Sequence, residues 1–297
     1  MRIRPSIGLL LSAILGAGGC ASFDKSSEAE PAGAKTLLAW QPGPEPEKTG
    51  DDAGEVEKPS KIVTDRPDFT EASSTVGRGR VQLEAGFTYI RDSDGLFKHS
   101  YPESLLRVGL FADWFEARFG QNFSNALSHS DFGPIRTNTA DDVYIGAKFG
   151  LTEQKGIYPE VALVVQSTLP TGPRAATAGK VLPGMNYLYG WEVNDFISVA
   201  GSTQGNARVD DDGGSYLQLA QSGTVGYTLT EKLGAYTEFF ALFPHGATAP
   251  DTAPQYYFNG GFTYKFTDNF QYDVRAGVGL NRHSDDYFVG TGFAVRY

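Results

Sequence analysis

Asp286 to Tyr297, DYFVGTGFAVRY, alternates along its whole length. Tyr287, Val289, Thr291, Phe293, Val295 and Tyr297 share one face, and Phe288, Gly290, Gly292, Ala294 and Arg296 share the other. A period of two marks a β-strand. The first face stays apolar and aromatic to the last residue. A soluble sandwich strand, the alternative reading, rarely leaves such a face uncovered at its end. A strand of an outer-membrane barrel turns it to lipid and ends in an aromatic girdle.

Gly292, Val295 and Tyr297 also resemble the C-terminal assembly signal of bacterial outer-membrane proteins. In that pattern a glycine is followed three and five residues later by hydrophobic or aromatic residues. Gly290 stands where the pattern carries a polar residue.

Working outward, the same alternation recurs upstream. Arg80 to Arg91 (RVQLEAGFTYIR) sets Val81, Leu83, Ala85, Phe87 and Tyr89 against Gln82, Glu84, Gly86 and Thr88. Glu103 to Phe111 and Trp114 to Asn122 form a hairpin about Ala112-Asp113. Further strands are expected near 142–150, 158–169, 185–193, 196–204, 215–229, 233–243, 255–266 and 269–280. With the closing strand the total is about twelve, an even number as in bacterial barrels.

Similar short turns recur: FADWFE, LTEQKG, VNDFIS, LTEKLG and FTDNFQ, centred on Asp113, Glu153, Asn194, Glu231 and Asp268. Their spacing of about 40 residues is two strands plus one short and one long connection. The long connections are polar or carry Pro and Gly: Asp92 to Ser100, Ser124 to Asn138, Pro170 to Pro183, Gly205 to Gly214, Pro244 to Pro254 and Asn281 to Asp286. Short turns on one side and long loops on the other are the outer-membrane arrangement, with the short turns periplasmic. The fold expected is therefore all-β, a transmembrane antiparallel up-and-down barrel over residues 61–297.

Composition agrees. Of 297 residues 40% are hydrophobic, too few for a helical bundle in the membrane but enough for strands that show lipid every second residue. The net charge of −10 disfavours nucleic-acid binding. One cysteine excludes an internal disulfide framework.

That cysteine lies in an address segment. Arg2 and Arg4 precede the apolar run Ile7 to Leu15, and small residues lead to Cys20. Residues 1–19 read as a secretory signal peptide. LGAGGC resembles a loose lipobox, so Cys20 is expected to carry lipid; the alternative is a cleavage site in which the thiol is incidental. Residues 20–60 are rich in Pro, Glu, Gly and Lys and are read as a disordered periplasmic tether. Within it, Leu37 to Trp40 is a short run able to touch a partner; the alternative is that the run is incidental.

Val63 to Thr75 (VTDRPDFTEASST) is no strand; it belongs at the periplasmic mouth or folded just inside. The inward face of the strands carries Glu84, Arg107, Glu116, Arg118, Asp142, Lys148, Glu160, Glu192, Glu238, Lys265, Asp273, Arg275 and Arg296. Unpaired charges are too costly for a dry interior, so these need water, partners or both. Two outcomes stay open: a narrow wet lumen lined by them, or ion pairs that fill it. Asp273, Arg275 and Arg296 are expected to pair with one another or with acids across the barrel.

Asp65 to Thr75 followed by Gly79-Arg80-Val81-Gln82-Leu83-Glu84-Ala85-Gly86 resembles the opening of a bacterial family of transporters of the meta-pathway of phenol degradation. The likeness continues through Glu103 to Gln121, Thr168-Leu169-Pro170-Thr171-Gly172 and the recurrent turns. It implies an outer-membrane channel for hydrophobic or aromatic compounds, and it carries over no catalytic residues.

Catalysis is not expected. His99, His129, His245 and His283 all fall in loops, and the Ser and Asp beside His129 and His283 are sequence neighbours, which cannot converge as a triad. No metal or cofactor site is expected; Asp210-Asp211-Asp212-Gly213 lacks the spacing of a calcium loop. The function expected is passive passage of small molecules across the bacterial outer membrane. The alternative is a non-conducting barrel with a structural or partner-binding role. Expected partners are outer-membrane lipid, the barrel-assembly machinery and a small-molecule cargo.

Overall fold

The computed structural model describes residues 35–39, 61–92, 97–130, 133–174, 176–210, 212–249 and 252–297. They form fifteen strands: β1 (Val81–Arg91), β2 (Phe97–Ser100), β3 (Ser104–Gly109), β4 (Phe115–Gln121), β5 (Phe123–Ser130), β6 (Gly133–Ala140), β7 (Val143–Thr152) and β8 (Glu160–Leu169), followed by β9 (Leu182–Glu192), β10 (Ile197–Val209), β11 (Ser215–Thr228), β12 (Leu233–His245), β13 (Gln255–Thr267), β14 (Phe270–Gly279) and β15 (Tyr287–Arg296). Every pairing is antiparallel, and β15 returns to pair with β1, with Ala85 opposite Phe293 and Gly86 opposite Gly292. The sheet is thus closed, which removes the edges that an open sheet would expose.

β2 and β3 are successive pieces of one wall strand, as are β4 and β5, and β6 and β7, so the wall has twelve strands. β1 pairs with β3 through its first residues and with β2 through its last. Phe97–Ser100 and the β5–β6 hairpin lie in stretches read from sequence as loops, a difference with a physical reason. Their sequences place polar residues at both odd and even positions, so no apolar register alternates with a polar one.

The five short turns fall where expected, and in two of them a side chain of the turn itself sets it. Asn194 Oδ1 accepts the amides of Phe196 and Ile197 at 2.9 and 3.0 Å. Thr230 Oγ1 accepts that of Leu233 at 2.9 Å. Such side-chain-to-backbone bonds satisfy turn amides that the ladder cannot reach.

The barrel is apolar outside and polar inside. Phe119, Phe239, Phe258, Phe262, Tyr272, Val274 and Phe293 are exposed, while Glu84, Arg107, Glu116, Lys148 and Glu238 are among the most buried residues. That inversion suits a wall with lipid on one side.

Of the expected tether, residues 35–39 are described, and they are ordered against the wall. The Leu37 and Leu38 amides donate to the carbonyls of Gly150 and Leu151 at 2.8 and 3.4 Å. Leu37 and Leu38, of the run read as able to touch a partner, thus touch the end of β7; Trp40 lies outside the described residues. Cys20, the signal peptide and the rest of the tether lie outside the described residues.

Candidate functional site

Residues 61–76 occupy the barrel. The segment enters at the short-turn end, where the Ile62 amide donates to Asp268 O at 2.8 Å, and it leaves there through Gly79, whose amide donates to Gly109 O at 2.9 Å. Between these points it lies inside, with Asp65, Arg66, Asp68, Thr70 and Glu71 all buried. Of the two places open to it from the sequence, it takes the inner one.

Charge complementarity seats it. Asp65 is the centre: its carboxylate lies 2.6 Å from Arg118 Nη1, 2.8 Å from Lys148 Nζ and 3.4 Å from Arg107 Nη1. Three cations from β3, β4 and β7 therefore converge on one acid of the plug. Glu116 binds the Arg107 guanidinium through both oxygens, at 2.8 and 2.9 Å, and Glu84 accepts Arg107 Nη1 at 3.0 Å. Glu71 reaches Arg118 Nη2 at 2.8 Å. Glu84 also accepts the Asp65 amide, and Glu116 the Val76 amide, so wall acids satisfy the backbone of the plug as well.

A second anchor lies opposite. Glu238 accepts the Phe69 and Thr70 amides at 2.7 Å each, the Thr70 hydroxyl at 2.7 Å and Asn259 Nδ2 at 2.7 Å. Beside it the Phe69 ring stacks on Phe240, centroids 4.4 Å apart, and Phe240 stacks on Tyr257 at 4.7 Å. Ile90, Ala220, Leu242 and Phe288 complete this apolar cluster. The plug is thus held by ion pairs on one side and by an aromatic stack on the other.

The third anchor is Arg66. It donates to Glu103 at 2.9 Å, to both Asp273 oxygens at 3.4 Å and to Thr291 O at 3.2 Å. A Cβ at Gly86 would fall 2.3–2.4 Å from its guanidinium, and one at Gly292 2.4 Å from its Nε. The two glycines, paired across the β1–β15 seam, leave the notch in which the guanidinium lies.

Of the thirteen charged residues assigned to the inner face from sequence, ten are buried, namely Glu84, Arg107, Glu116, Arg118, Lys148, Glu238, Lys265, Asp273, Arg275 and Arg296. Most of these have a partner in the plug. Asp142, Glu160 and Glu192 are only half-buried. Asp142 accepts the Gly172 and Ala178 amides at 3.0 Å, tying down the β8–β9 loop. Glu160 accepts the Ser73 hydroxyl. Glu192 closes β9 at the short-turn end.

Asp273, Arg275 and Arg296 do not pair with one another. Asp273 takes Arg66, and Arg275 donates to Pro67 O at 2.7 Å and Thr88 Oγ1 at 2.8 Å, with Glu103 3.8 Å away. Arg296 donates to Asn269 Oδ1 at 2.8 Å and to the Lys61 and Asp268 carbonyls. Residues two apart on a strand are about 7 Å apart, and the plug supplies nearer groups. The sequence reading missed Asp65, Arg66, Phe69, Glu71 and Glu103 as part of this site, although the first four stand in one short run that is unusually charged for a lumen segment. Gly292 belongs to the notch, whereas Tyr297 is exposed at the wall's end.

Outside the strands, the loop carboxyl of Asp285 is buried against Tyr257, whose hydroxyl lies 3.4 Å from Oδ2 and accepts the Asp285 amide at 3.2 Å. Burial raises its pKa to about 6 despite the nearby Lys98. His283 and Ser284 adjoin it, but Ser284 is committed to Asn281 and to the Tyr256 backbone. No group of three or more His, Cys, Asp or Glu positioned for a metal occurs among the described residues.

A closed wall, apolar outside and polar inside, with an internal plug defines the class: this is an outer-membrane β-barrel. The chain belongs to the family described as "Putative MetA-pathway of phenol degradation", whose model matches residues 64–297. Among solved structures it is similar to an outer membrane channel from Pseudomonas putida F1, with 12% identity and a TM-score of 0.60 over 76% of this chain and 98% of that one. The NanC porin matches with 7% identity and a TM-score of 0.49 over 72% and 98% of the two chains. The KdgM porin matches with 13% identity and a TM-score of 0.47 over 72% and 98%. No curated protein matches the sequence.

Proposed function

We propose that the barrel is an outer-membrane channel for passive passage of small molecules, and that residues 61–76 are a plug that sets its conductance. One observation carries this reading. The wall does not fill its own interior; a separate segment does, held by hydrogen bonds, ion pairs and one aromatic stack. Noncovalent contacts of this kind can be exchanged for water. The family resemblance adds hydrophobic or aromatic compounds as cargo. The short turns lie on the periplasmic side, so the plug enters from there, continuous with a tether that Cys20 anchors through lipid.

Planar-bilayer recording tests this. The full chain should conduct weakly, and a variant lacking residues 61–76 should conduct several times more. Silence from both, with correct insertion, would favour the non-conducting barrel. Mass spectrometry of the mature N-terminus should find lipid on Cys20; cleavage elsewhere would remove that part of the reading.

A further inference from the structure

The rings of Phe69, Phe240 and Tyr257 form one near-parallel stack, with centroids 4.4 and 4.7 Å apart and interplanar angles of 7° and 16°. Phe240 stands on β12 and Tyr257 on β13, so the wall supplies two rings and the plug supplies the third. Ile90, Ala220, Leu242 and Phe288 pack around them, and all are buried. The wall therefore carries an apolar seat for one flat ring, the geometry that aromatic groups favour, and Phe69 fills it.

The seat has a polar end. Glu238, on the same face of β12 as Phe240, accepts the Phe69 amide, the Thr70 amide and the Thr70 hydroxyl at 2.7 Å each. Asn259 of the wall donates to it as well. The donors from Phe69 and Thr70 depart if the plug lifts away. Phe69 thus offers the wall a ring and, across its own Cβ and Cα, an N–H donor. It also borders a cavity of about 30 Å³ on the long-loop side, which admits water and is too small for a ring. An aromatic solute from outside reaches the wall rings by displacing Phe69.

We propose that Phe69 is an internal ligand, and that its seat on β12 and β13 binds an aromatic solute with a hydrogen-bond donor on a short arm. Solute and plug exclude each other there. The solute's ring takes the place of Phe69 on Phe240, and its donor takes the place of an amide at Glu238. A bare hydrocarbon ring leaves the buried Glu238 carboxylate short of partners, which is costly. Occupancy by Phe69 lowers the apparent affinity for solute in proportion to the time the seat is filled, and bound solute loosens the plug in return. This deepens the channel reading and rests on it for its biological use, since cargo then releases the segment that blocks it.

The full-length protein in detergent micelles is titrated with 2-phenylethanol, which reproduces the ring, arm and donor of Phe69, and with ethylbenzene, which lacks the donor. Saturation-transfer NMR reads binding, and heat-modified electrophoretic migration verifies folding. Partition into micelles is common to all variants and cancels between them. Phe69→Ala vacates the seat and should bind both solutes about tenfold more tightly; truncating a residue that merely lines a site would weaken binding instead. The parent should favour 2-phenylethanol over ethylbenzene by about tenfold. In a Cys20→Ser, Ser74→Cys chain, saturating 2-phenylethanol should speed maleimide labelling several-fold. Equal or weaker binding by folded Phe69→Ala overturns the proposal, as does an unchanged labelling rate. Ethylbenzene binding the parent as tightly as 2-phenylethanol overturns the role given to Glu238. A chain that meets these expectations yet never conducts refutes only the channel. One that conducts yet gains no affinity from Phe69→Ala refutes only this site.

Discussion

Gly86 and Gly292 face each other across the seam between the first and last strands, and the Arg66 guanidinium lies on both. At Gly86 the three nearest atoms to an added Cβ all belong to that guanidinium, whereas at Gly292 one of them is the wall carbonyl of Ala85. Gly86→Ala should therefore displace the plug while sparing the wall. In a Cys20→Ser background, maleimide should label Ser74→Cys about tenfold faster once Gly86 is Ala. An unchanged rate would mean that Arg66 does not hold the segment.

Arg118 joins Asp65, Glu71 and Glu116. Arg118→Ala strands buried carboxylates, and removing one partner of a buried pair costs about 3–5 kcal/mol. Urea unfolding from vesicles should show a loss of that order for the full chain. The loss should shrink in a chain lacking residues 61–76, where water can reach Glu116.

Val274 and Arg275 adjoin on β14 but face opposite ways, Val274 exposed and Arg275 buried. Val274→Arg places a charge toward lipid and should impair insertion by about 2–4 kcal/mol. Arg275→Ala should insert, yet it loses the bonds to Pro67 O and Thr88 and should loosen the plug, raising conductance. Equal insertion of both variants, or failure of Arg275→Ala alone, would reverse the two faces.

Asp285 gives a pH dependence. Its pKa is raised from an ordinary value of about 4 to about 6. A raised acid favours the folded state when protonated, so its contribution is full below about pH 4 and is lost as pH rises through 6. Asp285→Asn should abolish that part of the profile and be more stable than the parent at pH 7, by on the order of 2 kcal/mol. Comparing the unfolding free energies of the two proteins from pH 4 to 8 cancels groups common to both. A constant difference would exclude the Asp285 titration.

The wall was legible because lipid on one side and polar groups on the other write a period of two, as in Tyr272, Val274 and Ala276 against Asp273 and Arg275. Asn194 and Thr230 marked turns by the chemistry of their own side chains. β2, β5 and β6 were not legible, since their sequences carry polar residues at both odd and even positions and leave no contrast to read. The charges of the lumen were visible, but their partners were not. Asp65 meets Lys148, 83 positions away, and Arg66 meets Asp273, 207 away. Pairings at such separations follow from how a segment threads the closed wall, which no local pattern encodes.

The notch under Arg66 also orders events during biogenesis. One half of it belongs to the first strand and the other to the last, so the seat of this arginine exists only after residue 292 has met residue 86. Arg107, Arg118 and Lys148, by contrast, can collect Asp65 from strands made early. The segment therefore gains its final hold only when the ring is complete, and its locking serves as a built-in report that the whole chain has arrived.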